Sequence, residues 1–175
     1  MRWSEFEADA PRLAEIATNR LIDPGVLLVA TIRQDGTPRL SPVEPLVLDG
    51  DLWLSMMLGS RKAADLLHDD RLLVHSIITS KDGAAGEIKL RGRAIDVTDP
   101  QARDRYREAV VVLGWQPQEP LFHLFRIDIG DVTFVRYAGN GDQTVTLWPD
   151  GREFVRRATS ATSVGDEEPV SVLLA

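Results

Sequence analysis

The segment Gly-Ser-Arg-Lys-Ala-Ala-Asp-Leu-Leu, residues 59–67, places two cations where electrostatics disfavours them. Ser60 stands at an N-cap position after a turn, and Arg61 and Lys62 fall in the first turn of a helix predicted over roughly residues 61–68. The helix dipole is positive at that end, so cations there are unfavourable. A bound anion reverses the sign. Free N–H groups, the dipole, a bidentate arginine and a mobile lysine together make an anion site. The Ser60 hydroxyl can donate once an anion replaces the cap contact. Arg39 supplies a third cation if the second strand lies beside the third. The two-residue hairpin signal Asp49-Gly50 makes them neighbours, with Leu48 opposite Asp51 and Arg39 near Ser60. The competing reading leaves Arg61 and Lys62 solvated, paired with Asp65, Asp69 or Asp70.

Other familiar chemistry is missing from the sequence. It has no G-x-S-x-G elbow, H-E-x-x-H, P-loop or G-x-G-x-x-G. The three histidines, His68, His75 and His123, are scattered, and no pair has the close helical spacing of a metal site. No metal ligand and no catalytic residue is assigned. The absence of cysteine excludes disulfides and thiolate catalysis, and it fits a cytoplasmic setting. The formal net charge of −7 argues against general nucleic-acid binding, so any anion must be drawn by a local cluster of cations. No apolar run approaches the roughly 20 residues of a membrane span, and the opening residues lack the pattern of a secretory signal.

The elements that must position these groups are mostly strands. An N-terminal helix is expected over residues 4–21, with capping-box spacing between Ser4 and Glu7 and an interruption at Pro11. Strands follow at residues 26–32, 39–48, 51–58, 71–78 and 87–97, then a helix opened by Asp99-Pro100 and closed by Gly114. Residues 121–137 form one long bent strand or a pair, and residues 143–149 a last one. Pro42 and Pro45 cannot donate to a ladder, so the second strand is expected at an edge or with a bend. Amides left unpaired there offer hydrogen bonds to a planar ring, and Met56 or Met57 a polarisable surface, whichever methionine points inward packing in the core. The pattern predicts a single domain over residues 1–157, with an antiparallel barrel over 25–148 and a mobile Ser/Thr/acidic tail over 158–175.

The ordered run of a strand, Asp-Gly-Thr-Pro-Arg (35–39), Ser-Pro-Val (41–43), Asp-Gly-Asp-Leu-Trp (49–53), Gly-Ser-Arg-Lys-Ala-Ala-Asp-Leu (59–66) and Asp-Asp-Arg (69–71) resembles the pyridoxamine 5′-phosphate oxidase-like, FMN-binding split-barrel superfamily. The likeness covers residues 24–98 well and continues less specifically to about Val135. It implies a mainly β fold, a six-stranded antiparallel split barrel with peripheral helices, forming a homodimer with cofactor at the interface. It implies that Arg39, Arg61 and Lys62, with Ser60 beside them, hold the FMN phosphate. The isoalloxazine would lie along Leu40, Ser41, Pro42 and Val43 and near Ser55, Met56 and Met57, with Trp115 or Trp148 of the partner as candidates to cover it. The oxidases' C-terminal Trp- and Arg-containing substrate motif has no counterpart here, and Glu44 replaces a lysine of their second-strand motif, which argues against pyridoxamine phosphate oxidation. The resemblance thus implies an FMN-dependent oxidoreductase acting on a small molecule. It leaves open a reductase using the deazaflavin coenzyme F-420, a non-enzymatic flavin-binding protein, and a haem-binding relative with His75 or His123 as axial ligand.

Overall fold

Two prolines decide the course of the sheet. The computed structural model describes residues 1–115 and 122–170. In it the expected second strand divides into β2 (Pro38–Val43) and β3 (Pro45–Leu48), with Glu44 between them. β2 pairs antiparallel with β1 (Leu27–Ile32), Leu27 opposite Val43 and Thr31 opposite Arg39. β3 pairs instead with β4 (Asp51–Met57), Leu48 opposite Asp51 and Pro45 opposite Leu54. Asp49 and Gly50 both have positive φ, 54° and 77°, which a type I′ hairpin requires. The predicted hairpin register therefore holds along β3. It does not extend to Arg39, because the chain swings at Glu44 from one neighbour to another.

The long strand β7 (Phe122–Tyr137) joins the two halves. One of its edges pairs with β4 over residues 122–127 and with β8 (Gln143–Trp148) over residues 132–137. Its other edge pairs with β6 (Glu87–Asp96), which is followed by β5 (Arg71–His75), β1 and β2. Counting β2 and β3 as one bent strand gives the six expected strands. Within that bent strand the ladder breaks at Glu44, since β2 pairs only with β1 and β3 only with β4, so the barrel is split. β7 carries a bulge at Gly130, the extra residue between Ile129 and Asp131 opposite Gly92 and Arg91 of β6.

The sheet continues past the barrel through β8, β9 (Arg152–Ser160) and β10 (Ser163–Pro169). Residues 158–169 were expected in a mobile tail; they form a hairpin instead. Asp142 secures it, accepting from the Ala158 amide at 2.8 Å and the Arg157 guanidinium at 2.9 Å. Neither strand has a buried residue, so no apolar alternation advertised it. Residues 171–175 lie outside the described residues.

Among the described residues, four α-helices and one π-helical turn cover the sheet. α1 (Trp3–Asp9) and α2 (Pro11–Ala17) meet at Ala10, with Pro11 at the permissive first position, and a π-helical turn (Thr18–Ile22) follows. The expected capping pair Ser4 and Glu7 is displaced by two residues. The Glu5 carboxylate accepts from the Arg2 amide at 2.7 Å, and Glu7 accepts from the Trp3 indole at 2.7 Å. α3 (Arg61–His68) stands as predicted, and α4 (Pro100–Val112) is capped by the Asp99 carboxylate, which accepts from the Ala102 amide.

The core explains why β4 is apolar on both faces. Leu52, Leu54 and Met56 join Trp3, Phe6, Leu27, Val29, Phe125 and Ile127 inside the barrel. Trp53, on the opposite face, packs with Tyr106 and Val110 of α4 and with Phe122 and Leu124.

Candidate functional site

Gly59, at φ +75°, turns the chain from β4 into α3. Ser60 is the N-cap with extended dihedrals, yet its hydroxyl makes no capping hydrogen bond. Ala63, Asp65 and Leu66 form the buried face of the helix. Lys62 reaches the end of β2, where Nζ donates to the Pro42 carbonyl at 2.8 Å. Arg61 is exposed and has no partner among the described residues.

The carboxylates that might have neutralised these cations are engaged elsewhere. Asp65 pairs with Arg39 at 2.6 Å, Asp69 with Arg71 at 2.6 Å and Asp70 with Arg93 at 2.5 Å. None pairs with Arg61 or Lys62 among the described residues.

Arg39 and Asp65 are the organised part of the site. Arg39 does not reach Ser60 through a β ladder. It projects from β2 to α3, where Nε donates to Asp65 Oδ2 at 2.6 Å. Asp65, 7% exposed, also accepts from the Thr31 hydroxyl at 2.8 Å. Burial pushes the Asp65 carboxyl up, but hydrogen bonds from Arg39 and Thr31 and the charges of Arg39 and Arg33 outweigh it and leave the group below the usual carboxylate range. An ionised Asp65 fixes Arg39 through Nε alone and leaves its two terminal nitrogens without a partner among the described residues. Arg39, Arg61 and Arg33 line one open cleft of about 540 Å³ with Gln34, Asp35, Ala64 and Asp65. Three arginines against two aspartates leave one net positive charge there, with Lys62 one residue along the helix.

The remaining sequence-predicted residues fall into three groups. Leu40 and Met57, 62% and 78% exposed, present apolar surface to solvent, and Ser41 and Pro42 lie on β2, whose outer edge ends the sheet. Val43 and Met56 point inward, 5% and 3% exposed, so they can offer a ligand backbone atoms only. Ser55 accepts a hydrogen bond from the Tyr106 hydroxyl at 2.9 Å, which ties β4 to α4. Of the two tryptophans, Trp115 is 43% exposed and packs edge-on against Phe122, whereas Trp148 is buried with its indole donating to Asp9 at 2.7 Å. His75 has Nδ1 2.6 Å from the Ser76 carbonyl, and its Nε2 faces the Glu87 carboxylate at 3.6 Å, beyond hydrogen-bond reach. His123 stacks on Phe125.

Sequence reasoning missed Thr31, Arg33 and the true role of Asp65. One signal was available: Asp65 falls between Ala63 and Leu66 on the apolar side of α3, where an acid needs a partner.

A family model described as pyridoxamine 5′-phosphate oxidase matches residues 14–136. The chain belongs to this family. Solved structures agree on the fold. A pyridoxamine 5′-phosphate oxidase-related, FMN-binding protein from Nostoc punctiforme superposes with a TM-score of 0.58 at 14% identity, covering 93% of this chain and 96% of that one. A NimC/NimA family protein from Clostridium acetobutylicum gives 0.59 at 17% identity, covering 80% and 94%. A haem-binding protein from Mycobacterium smegmatis gives 0.55 at 23% identity, covering 74% and 57%. No curated protein matches the sequence. No helix among the described residues is long and apolar enough to cross a membrane.

Proposed function

We propose that this family member binds FMN at the start of α3 and uses it as an oxidoreductase on a small molecule. The observation that carries the reading is the set of unspent donors in one place. Among the described residues, Arg61 has no partner, the Ser60 hydroxyl caps nothing, and Arg39 is fixed by Asp65 with its terminal nitrogens unused. These donors fit a phosphate dianion, and the open edge of β2 beside them fits the polar rim of a planar ring. Lys62, already bonded to the Pro42 carbonyl, links the phosphate end to that strand. A bound flavin would supply the hydride and electron transfer, and the chain's own residues would supply position, charge and exclusion of water.

Exclusion of water calls for a cover. Leu40, Met57 and Leu58 are exposed by 62%, 78% and 55% around this edge, and we assign a second copy of the chain to that surface, giving a homodimer with the cofactor at its interface. Sedimentation of the holoprotein tests this, and a monomer at micromolar concentration overturns it.

Cofactor identity is tested by titration of the purified protein with FMN, riboflavin, coenzyme F-420 and haem. FMN is expected to bind with quenched fluorescence. Loss of the charged contacts in the double variant Arg61→Ala, Lys62→Ala is expected to weaken FMN binding about 100-fold, on the scale of two charge-assisted hydrogen bonds, with an unchanged circular dichroism spectrum. Riboflavin, which has no phosphate, should bind wild type and variant alike. F-420 or haem binding in place of FMN overturns the cofactor, and an unchanged FMN affinity in the variant overturns the phosphate site. Turnover of a reduced nicotinamide by the holoprotein distinguishes a catalyst from a flavin carrier.

A further inference from the structure

A second cavity lies away from this cleft and shares no residue with it. It is a half-open cavity of about 730 Å³, lined by α1, α2 and the π-helical turn on one side and by β7, β8 and the start of β9 on the other. That volume is within the usual range for small-molecule sites. Ile16, Phe134, Leu147 and Trp148 give it apolar walls.

Its polar groups are unevenly matched. Arg12, Arg20 and Arg136 line it with Asp9 and Glu153, a surplus of positive charge in a chain of net charge −7. Asp9 accepts from the Trp148 indole. Neither acid pairs with an arginine among the described residues, and Arg12 and Arg136 have no partner there at all. Arg20 is more constrained. One terminal nitrogen donates to the Gly86 carbonyl at 2.6 Å, while Nε is buried with no acceptor. A buried guanidinium N–H without an acceptor is costly, and its neighbours here offer none.

We propose that this cavity binds an amphipathic carboxylate, an aliphatic acid whose chain lies against Ile16, Phe134, Leu147 and Trp148 and whose head group is held by the three arginines. Charge complementarity selects this occupant. An apolar chain answers the walls, and a single anionic head answers the surplus of guanidinium groups, for which carboxylate geometry is well suited. A neutral alcohol would leave the arginines unanswered, and an aliphatic cation would be repelled by them.

Octanoate, octan-1-ol and octyltrimethylammonium are the probes, titrated calorimetrically into the full chain. Octanoate is expected to bind one per chain, more than about tenfold tighter than either of the others, the difference expected for one charge-assisted contact. Arg12 and Arg136 are exposed and unpartnered, so the double variant Arg12→Leu, Arg136→Leu should fold normally and abolish the preference for octanoate. Thr146→Trp, which fills the cavity from β8, should abolish binding of octanoate altogether. Arg61→Ala, Lys62→Ala should leave octanoate binding unchanged. Equal affinity for octanoate and octan-1-ol, an undiminished preference in the arginine variant, or binding that survives Thr146→Trp overturns the proposal.

Discussion

Replacing Asp65 tests the arrangement that organises the candidate site. In Asp65→Ala two groups lose their partner together: the Thr31 hydroxyl, in a residue 2% exposed, and the Nε of Arg39, whose side chain is 21% exposed. An unsatisfied buried hydroxyl costs about 1–3 kcal/mol. Removing one partner of a buried ion pair costs about 3–5 kcal/mol, and the partial exposure of Arg39 lowers its share. The two penalties overlap, so the expected loss is about 3 kcal/mol, read from the urea midpoint at an unchanged slope.

A second variant isolates the charge. Asp65→Asn keeps the shape and loses the ionised group. The folded-state pKa of Asp65 is depressed, so its ionisation contributes stability that is fully present above the unfolded value, about 4. That contribution is lost as pH falls through the lowered folded value. The stability gap between wild type and Asp65→Asn should therefore be largest at neutral pH and shrink progressively below pH ~4. Other carboxylates titrate alike in both proteins and cancel from the difference. A gap independent of pH down to about 3, or a loss below about 1 kcal/mol in Asp65→Ala, would refute the view that an ionised Asp65 anchors Arg39.

Three further outcomes follow from the geometry. Gly92→Ala would drive a Cβ into the Asp128 carbonyl oxygen beside the β7 bulge, so it should destabilise the fold by about 2 kcal/mol or more in urea unfolding. Asp99→Ala removes the N-cap of α4 and should cost about 1 kcal/mol by the same measurement. The Asp69 carboxyl, held at about 2 chiefly by a hydrogen bond from the Arg71 side chain, should titrate there in carbon-detected NMR and return toward the ordinary range in Arg71→Ala.

The barrel was legible because its signals are local. The Asp49-Gly50 pair dictates a tight turn and hence the β3–β4 register, and Gly59-Ser60 followed by an apolar stripe marks α3. Pro42 and Pro45 announced a bend, since neither can donate to a ladder. What they could not announce is which strand lies on each side of the bend. That depends on β1 closing over β2, a pairing between segments separated by a turn whose polar residues carry no orientation. The extrapolation that brought Arg39 to Ser60 failed for this reason, although Arg39 still arrives at the same helix. β9 and β10 were illegible on different grounds. Their stability rests on backbone pairing and on Asp142, and no residue of either strand is buried, so they leave no pattern of period two.

The cations that open α3 were legible as an anomaly, and the structure narrows what can explain it. Had Asp65, Asp69 or Asp70 neutralised Arg61 and Lys62, the segment would be an ordinary charged helix end. Each of those acids is committed to another arginine, and Asp65 is committed to the one arginine that shares its cleft with Arg61. Among the described residues, Lys62 spends one of its donors on a strand carbonyl, and Arg61 spends none. Pairing Asp65 with Arg39 therefore does two things at once. It removes the only carboxylate of α3 that lines the cleft from competition with an incoming anion, and it fixes a second guanidinium there by a nitrogen that a ligand does not need. An anion of charge −2 would meet two arginines whose terminal nitrogens have no partner among the described residues, at a helix end whose dipole favours it. On the proposed function, the two cations would cost a little at the empty helix end and be answered when a phosphate binds there.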